Sequence, residues 1–535
     1  MQTRWLFRIT YLYLTIPFII FCMGWLRLPI AIPVTALILW VLWYLLKQSP
    51  NIQFPIPHEA SRFPIYLLLL TGLWVLLSGV GGYAFQNWDH HWRNAVLRDL
   101  ITYDWPVVYS APDRGPIKML VYYVGYWLPS ALVGKVFGWK AANFFLFLWT
   151  WLGVFLVTLH LSLKLKMSLI KIAFLLILFS GMDALGSLLF ASEYPTLWPP
   201  IQHLEIWSGN LQYSSFTTQL FWVFNQAVPA WLCIALILDN NVIARRVLFP
   251  TKQSHAGLKI AHLHWRAAQV SDDEQEHPRN DIKVLIWSLC FFFAPLASIG
   301  LLPYLLIEWF KHANLKSIFK DIRFDLLLAS VLIVITSYLF FSSNSAAQER
   351  GFQSLALKDF LAFFLLEGGI LWLLLAPRLW RDPRWAVTGI LLLVMPFIQI
   401  GSSRDFVMRA SIAPLFYLML MTGEVLFQPA SQRVLRFTLY ALLIIGALTP
   451  LYEINRSIYR SFQYYFIQNE SDCGCEAPSS EPVTHLEQGV APEAEHLNSL
   501  VADEIGTLAF MEDKLSKNFI ANVRQSLYYR YLSPR

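Results

Sequence analysis

The run Gln86-Asn87-Trp88-Asp89-His90-His91-Trp92-Arg93 sets a carboxylate, two imidazoles and a guanidinium close together on the chain. On a helix Asp89 and Arg93 share a face, because side chains four residues apart are neighbours. Such a set suits transfer chemistry. A carboxylate can take a proton from a weak nucleophile such as a sugar hydroxyl. Cations beside it, here His90, His91 and Arg93, can hold a phosphate or steady the charge on a leaving group. The plainer alternative is a surface helix with one ion pair, whose buried side is Ala95, Leu97 and Leu100.

Two further groups carry chemistry. Glu193-Tyr194-Pro195 is followed by His203-Leu204-Glu205. A carboxylate and an imidazole there could bind a sugar hydroxyl, a diphosphate or a divalent metal; the alternative is a capped loop helix. Ser402-Ser403-Arg404-Asp405-Phe406-Val407-Met408-Arg409 places two arginines at the entrance to an apolar run. The guanidinium fork matches phosphate oxygens, so Arg404 and Arg409 suit a lipid phosphate. The alternative is interfacial snorkelling, or neutralisation by Asp405. His255, His262, His264 and His277 are irregularly spaced among charges and read as a solvated loop rather than a metal site. Cys473-Gly-Cys475 reads as linker.

The elements that must position these residues are membrane helices. Of 535 residues, 56% are hydrophobic and 14% charged, with mean hydropathy +0.48. A soluble domain is about a quarter charged. The composition excludes a secreted disulfide scaffold, a disordered chain and a soluble enzyme with one large core. Net charge is +6, which in such a chain reports the placement of basic loops and gives no case for a nucleic-acid partner.

Hydropathy places spans at about 5–23, 28–46, 64–84, 141–160, 168–190, 215–238, 324–341, 358–377, 385–400, 411–427 and 435–452. The stretches 118–137 and 282–311 are settled by charge. Short Lys/Arg-rich loops belong in the cytoplasm, and the basic segments are the N-terminus, 161–171, 239–283 and 311–323. For 161–171 to lie inside, 118–137 must be a re-entrant or interfacial helix. For both ends of 282–311 to lie inside, it must be a hairpin of two short helices. The fold class expected is an all-α polytopic membrane protein with about 13 transmembrane helices and a re-entrant or juxtamembrane helix in its first large outer loop. Residues 1–452 form the membrane domain, with its core about 64–345. Residues 453–535 form a short extracytoplasmic tail of linker and short helices. The N-terminus is cytoplasmic.

The chain has no Gly-x4-Gly-Lys-Ser/Thr phosphate loop, no Gly-x-Ser-x-Gly elbow, no His-Glu-x-x-His and no Asp-x-Asp pair. What it resembles is the GT-C class of integral-membrane glycosyltransferases, in the arrangement of the aminoarabinose and mannosyl transferases. The pattern runs through Asp89, Ala95 to Leu100, Trp105-Pro106, Arg114-Gly115-Pro116, Tyr122-Tyr123 and Phe137-Gly138. It continues through the span from 141 to Lys164 and the hairpin 282–311, covering about 85–320. Two features differ: two spans precede 64–84, and the tail is short and polar.

The resemblance implies a bacterial cytoplasmic-membrane enzyme of the cell envelope. It would move a sugar from a polyprenyl-phosphate donor to a glycan, lipid or protein acceptor at the outer face, with inversion. Asp89 would be the base, and Arg404, Arg409 or Arg114 would stabilise the departing phosphate. His203 and Glu205 would position the acceptor or a divalent metal. Two other functions fit the same residues: a flippase, carrier or polymerase for lipid-linked glycans, and a membrane assembly subunit without chemistry.

Overall fold

The computed structural model describes residues 3–50, 65–109, 117–190, 198–200, 203–209, 211–248, 280–311, 323–344, 349–401, 405–427, 433–463 and 518–534. The described residues are about 79% helical with almost no sheet. Nine helices among the described residues are long and apolar enough to cross a membrane, and four shorter apolar helices accompany them. The chain is a multi-pass membrane protein of all-α class.

Helices α1 (Arg4–Trp25) and α2 (Leu28–Gln48) form an antiparallel pair. Pro29, in the first turn of α2, lacks only an N–H that would be unpaired there anyway. At one end of the pair Arg4 Nη2 and Arg8 Nε donate to the Lys47 and Leu46 carbonyls. At the other end Arg27 donates to the Ser533 and Arg530 carbonyls, so the C-terminal segment docks there.

Helix α3 (Ile65–Leu77) leads into a glycine turn and then α4 (Trp88–Thr102). Gly79 has φ +80°, a left-handed conformation, and an added Cβ there would stand 2.4 Å from the Phe85 carbonyl oxygen. The expected helix over 118–137 is instead a strand followed by a short helix. Strands β1 (Val108–Tyr109) and β2 (Lys118–Leu120) pair antiparallel, and β2 pairs on its other edge with Ile520–Asn522. Helix α5 (Leu128–Phe137) has 10 residues, with Pro129 in its first turn. At ~1.5 Å per residue it is about 15 Å long, half the hydrocarbon thickness. It lies against α4, where Lys135 Nζ donates to the carbonyls of Ile101 and Tyr103. Gly138, at φ +83°, turns the chain into α6 (Trp139–Leu165).

A small residue lets α6 approach its neighbours closely: a Cβ on Gly153 would stand 2.5 Å from both the Tyr13 hydroxyl and a Val228 methyl. Some polar side chains inside this packing are satisfied in pairs. Thr10 Oγ1 lies 2.9 Å from His160 Nε2, and the Tyr126 hydroxyl donates to Thr150 Oγ1 at 2.9 Å.

The expected span over 215–238 is not one straight helix. Helices α7 (Leu169–Leu178) and α8 (Asp183–Phe190) follow α6, and in α9 (Phe216–Leu248) Val223 has non-helical φ −134°, ψ 35°. The rings of Phe216 and Trp231 are 5.4 Å apart, where a straight helix would separate the two positions by about 22 Å along its axis. Trp74 bonds Thr217 Oγ1 through its Nε1 and stacks on Trp231. Residues 216–222 therefore return toward the α4 end of the bundle, Val223 is the apex, and the spanning arm begins after it. Hydropathy averages over direction, which is why the reversal is invisible to it.

The hairpin over 282–311 is present as Asn280–Phe293 and Pro295–Lys311, closed by an ion pair of 3.1 Å between Lys283 and Glu308. The expected domain boundary at 452/453 falls inside the helix Leu448–Phe462. The polar residues that suggested a tail there, Glu453 and Arg456, are buried against the helix bundle.

Candidate functional site

Asn87 caps α4: its side chain accepts from the Asp89 N–H at 3.1 Å. The cap fixes Asp89 in the first turn, where the helix dipole favours a carboxylate. Asp89 keeps 27% of its side chain exposed, while Arg93, one turn on, is 4% exposed and donates to it at 2.8 Å. The rest of the Arg93 guanidinium is unusual. Its Nε and Nη1 are buried with no hydrogen-bond partner among the described residues, and its Cζ stands 5.7 Å from the Phe224 ring.

Arg409 joins this group from the helix Asp405–Ala410. It pairs with Asp405 at 3.2 Å, its Cζ is 6.0 Å from the Tyr123 ring, and Asp89 acts on it electrostatically. Its Nε is also buried without a partner among the described residues. Buried donors are nearly always bonded in folded proteins, so the two open nitrogens of Arg93 beside a half-exposed carboxylate, with Arg409 within electrostatic reach, suit an oxyanion.

His90 is buried, with Nε2 3.1 Å from the Phe221 carbonyl oxygen, which also accepts from Asn87 Nδ2 at 2.8 Å. Burial, then the neighbouring Arg93 charge, pushes its imidazole down to about 3. Its ring ties the first turn of α4 to Phe221. His91 is half-buried and lies edge-on to Trp92. Trp92 stacks on Phe519 of the C-terminal segment. Arg114 and Arg404 lie outside the described residues.

The structure brings His203 and Glu205 into a different group. His203 Nδ1 donates to Glu453 Oε1 at 2.6 Å, and Nε2 is 3.9 Å from Glu205 Oε2. Burial lowers the His203 imidazole's affinity for protons, but the Glu453 and Glu205 carboxylates outweigh it and hold it above its ordinary value. Glu205 accepts from Gln212 Nε2 at 2.9 Å and Ser215 N at 3.0 Å. Burial, reinforced by the Asp183 charge, raises its carboxyl to about 7. Glu367, in a π-helical turn over Leu365–Gly369, accepts from Trp207 Nε1 at 3.0 Å. Asp183, hydrogen-bonded to Ser180, acts electrostatically on both Glu205 and Glu367.

Asp183, Glu367, Glu453 and Arg456 were missed as site residues. For Asp183 and Glu367 the signal was available: a carboxylate inside an apolar span is a functional candidate by default. Among the described residues no group of three or more His, Cys, Asp or Glu is arranged to hold a metal ion.

The two groups flank the apex of α9, one reached through Phe221 and the other through Trp222, whose Nε1 donates to Glu453 at 3.4 Å. Comparisons with protein-family models, curated proteins and solved structures find no match to this chain.

Proposed function

We propose that this chain is a membrane glycosyltransferase that moves a sugar from a polyprenyl-phosphate donor to an acceptor at the outer face of the membrane. The observation that carries this reading is a half-exposed carboxylate, Asp89, paired with Arg93, whose guanidinium keeps open donors, and within electrostatic reach of Arg409. In the reaction the acceptor oxygen attacks the anomeric carbon and gives its proton to Asp89. The bond from that carbon to the phosphate oxygen breaks, and the electron pair leaves on the phosphate. Arg93 and Arg409 would receive the charge that grows there. Attack opposite the leaving group inverts the anomeric centre. The proposed topology has 13 crossings, counting the short helices, with the N-terminus cytoplasmic and the C-terminal segment outside.

A second reading, a carrier for lipid-linked glycans, draws on the buried carboxylates of Asp183 and Glu367 within apolar spans, since such groups serve proton relays in transporters. One experiment separates the two. The purified chain is incubated in liposomes with a polyprenyl-phosphate sugar and candidate acceptors. A transferase releases free polyprenyl phosphate; a carrier moves the intact lipid between leaflets and releases none.

A further inference from the structure

We propose that the helix Leu448–Phe462 carries a second oxyanion site, separate from the Asp89 group, in which Arg456 and Arg460 hold a phosphate-class ligand. The two arginines are one turn apart and so share a face. Like charges on neighbouring turns repel, and the local carboxylate does not offset both. Glu453 already serves His203 Nδ1 at 2.6 Å, Trp222 Nε1 at 3.4 Å and Arg456 Nη1 at 3.2 Å. Among the described residues Arg460 Nη1 donates to the neutral Gln463 amide, at 3.3 Å.

Both guanidinium groups have open donors. The Nε atoms of Arg456 and Arg460 are buried with no hydrogen-bond partner among the described residues. Arg456 is itself 6% exposed, and its plane is held by aromatic rings, with Cζ 5.6 Å from Phe85 and 5.5 Å from Trp222. A guanidinium fixed in this way is pre-organised for two parallel bonds to a phosphate. Trp198, 69% exposed, lies edge-on to Tyr459, the residue before Arg460, at 5.1 Å.

The geometry is independent of the Asp89 group, so the site stands whether the chain transfers sugars or carries lipids. The phosphate has two possible sources with one chemistry, a membrane-lipid headgroup and a soluble diphosphate. The test uses the full chain with Arg409→Ala, which removes one cation of the other site, in phosphatidylcholine nanodiscs. Inorganic pyrophosphate is titrated by calorimetry. Retention of added phosphatidylglycerol is read by native mass spectrometry. At least one probe should bind, and adding Arg460→Gln should weaken it by about 10-fold or more at unchanged melting temperature. The probe that responds identifies the source. Arg460→Lys keeps the charge but not the fork and should recover only part; it decides the matter if the Gln variant fails to fold. The proposal is overturned if neither probe binds the Arg409→Ala protein, or if both bind equally well after Arg460→Gln, or after Arg460→Lys where that variant decides.

Discussion

His90 Nε2 lies 3.1 Å from the carbonyl oxygen of Phe221, two residues before the break in α9 at Val223. Asn87 Nδ2 donates to the same oxygen. The first turn of α4, which carries Asp89, is thereby tied to the apex of the re-entrant segment. A small shift of either would move the carboxylate relative to Arg93 and Arg409.

That tie is sensitive to acid. The folded protein holds His90 near 3, below the ordinary 6.5, through burial and the Arg93 charge. Between those values the unfolded chain binds a proton that the folded one refuses, so stability falls as pH drops through the window. The slope approaches about 1.4 kcal/mol per pH unit. His90→Gln can still donate to Phe221 but cannot titrate. Thermal unfolding from pH 6.5 to 4.5 should show a steeper loss for the parent than for the variant; parallel curves would mean His90 is not held neutral.

Glu205 works in the opposite direction. Its carboxyl is raised from 4.5 to about 7 by burial and by Asp183. The folded state binds the extra proton, so stability is lost as pH rises from about 4.5 through 7. The contribution is at most about 3 kcal/mol. Glu205→Gln mimics the protonated form and should flatten the decline in melting temperature between pH 5 and 8. An unchanged decline would show that another group causes it.

How far the sequence reached can be seen in particular residues. The Asp89–Arg93 pair was legible because helical spacing is local. The hairpin near Lys283 and Glu308 was legible because basic ends cannot both be inside unless the chain turns. The electrostatic reach of Asp89 to Arg409 was not, since it depends on how distant helices pack. The reversal at Val223 was hidden because hydropathy averaged over 216–238 stays high despite Thr217, Thr218, Gln219, Asn225 and Gln226. Glu453 reads as tail in the sequence because a charged residue ends an apolar run; its burial depends on His203 and Trp222, brought by other parts of the fold.

The short helix Leu128–Phe137 should leave both its ends on one side of the membrane. Reporters fused after Trp105 and after Gly138 should read the same side, and one after Lys166 the opposite side. If the reporter after Gly138 agrees with the one after Lys166, α5 crosses and the 13-crossing topology fails.

Arg409 should set affinity for the donor phosphate. A charge-assisted hydrogen bond contributes about 1.5–3 kcal/mol, so Arg409→Ala should weaken polyprenyl-phosphate binding by roughly 10- to 100-fold. Arg409→Lys should restore part of it. Binding equal to the parent in the Ala variant would make Arg409 a partner for Asp405 alone.

The central claim is that Asp89 takes the acceptor's proton, and Asp89→Asn tests it most directly. Asparagine keeps the shape and removes the base. With polyprenyl-phosphate sugar shown to be bound, the rate of glycosyl transfer should fall by roughly 10²- to 10⁴-fold, while donor affinity and melting temperature stay near the parent's. Transfer by the Asn variant at close to the parent rate would contradict the account.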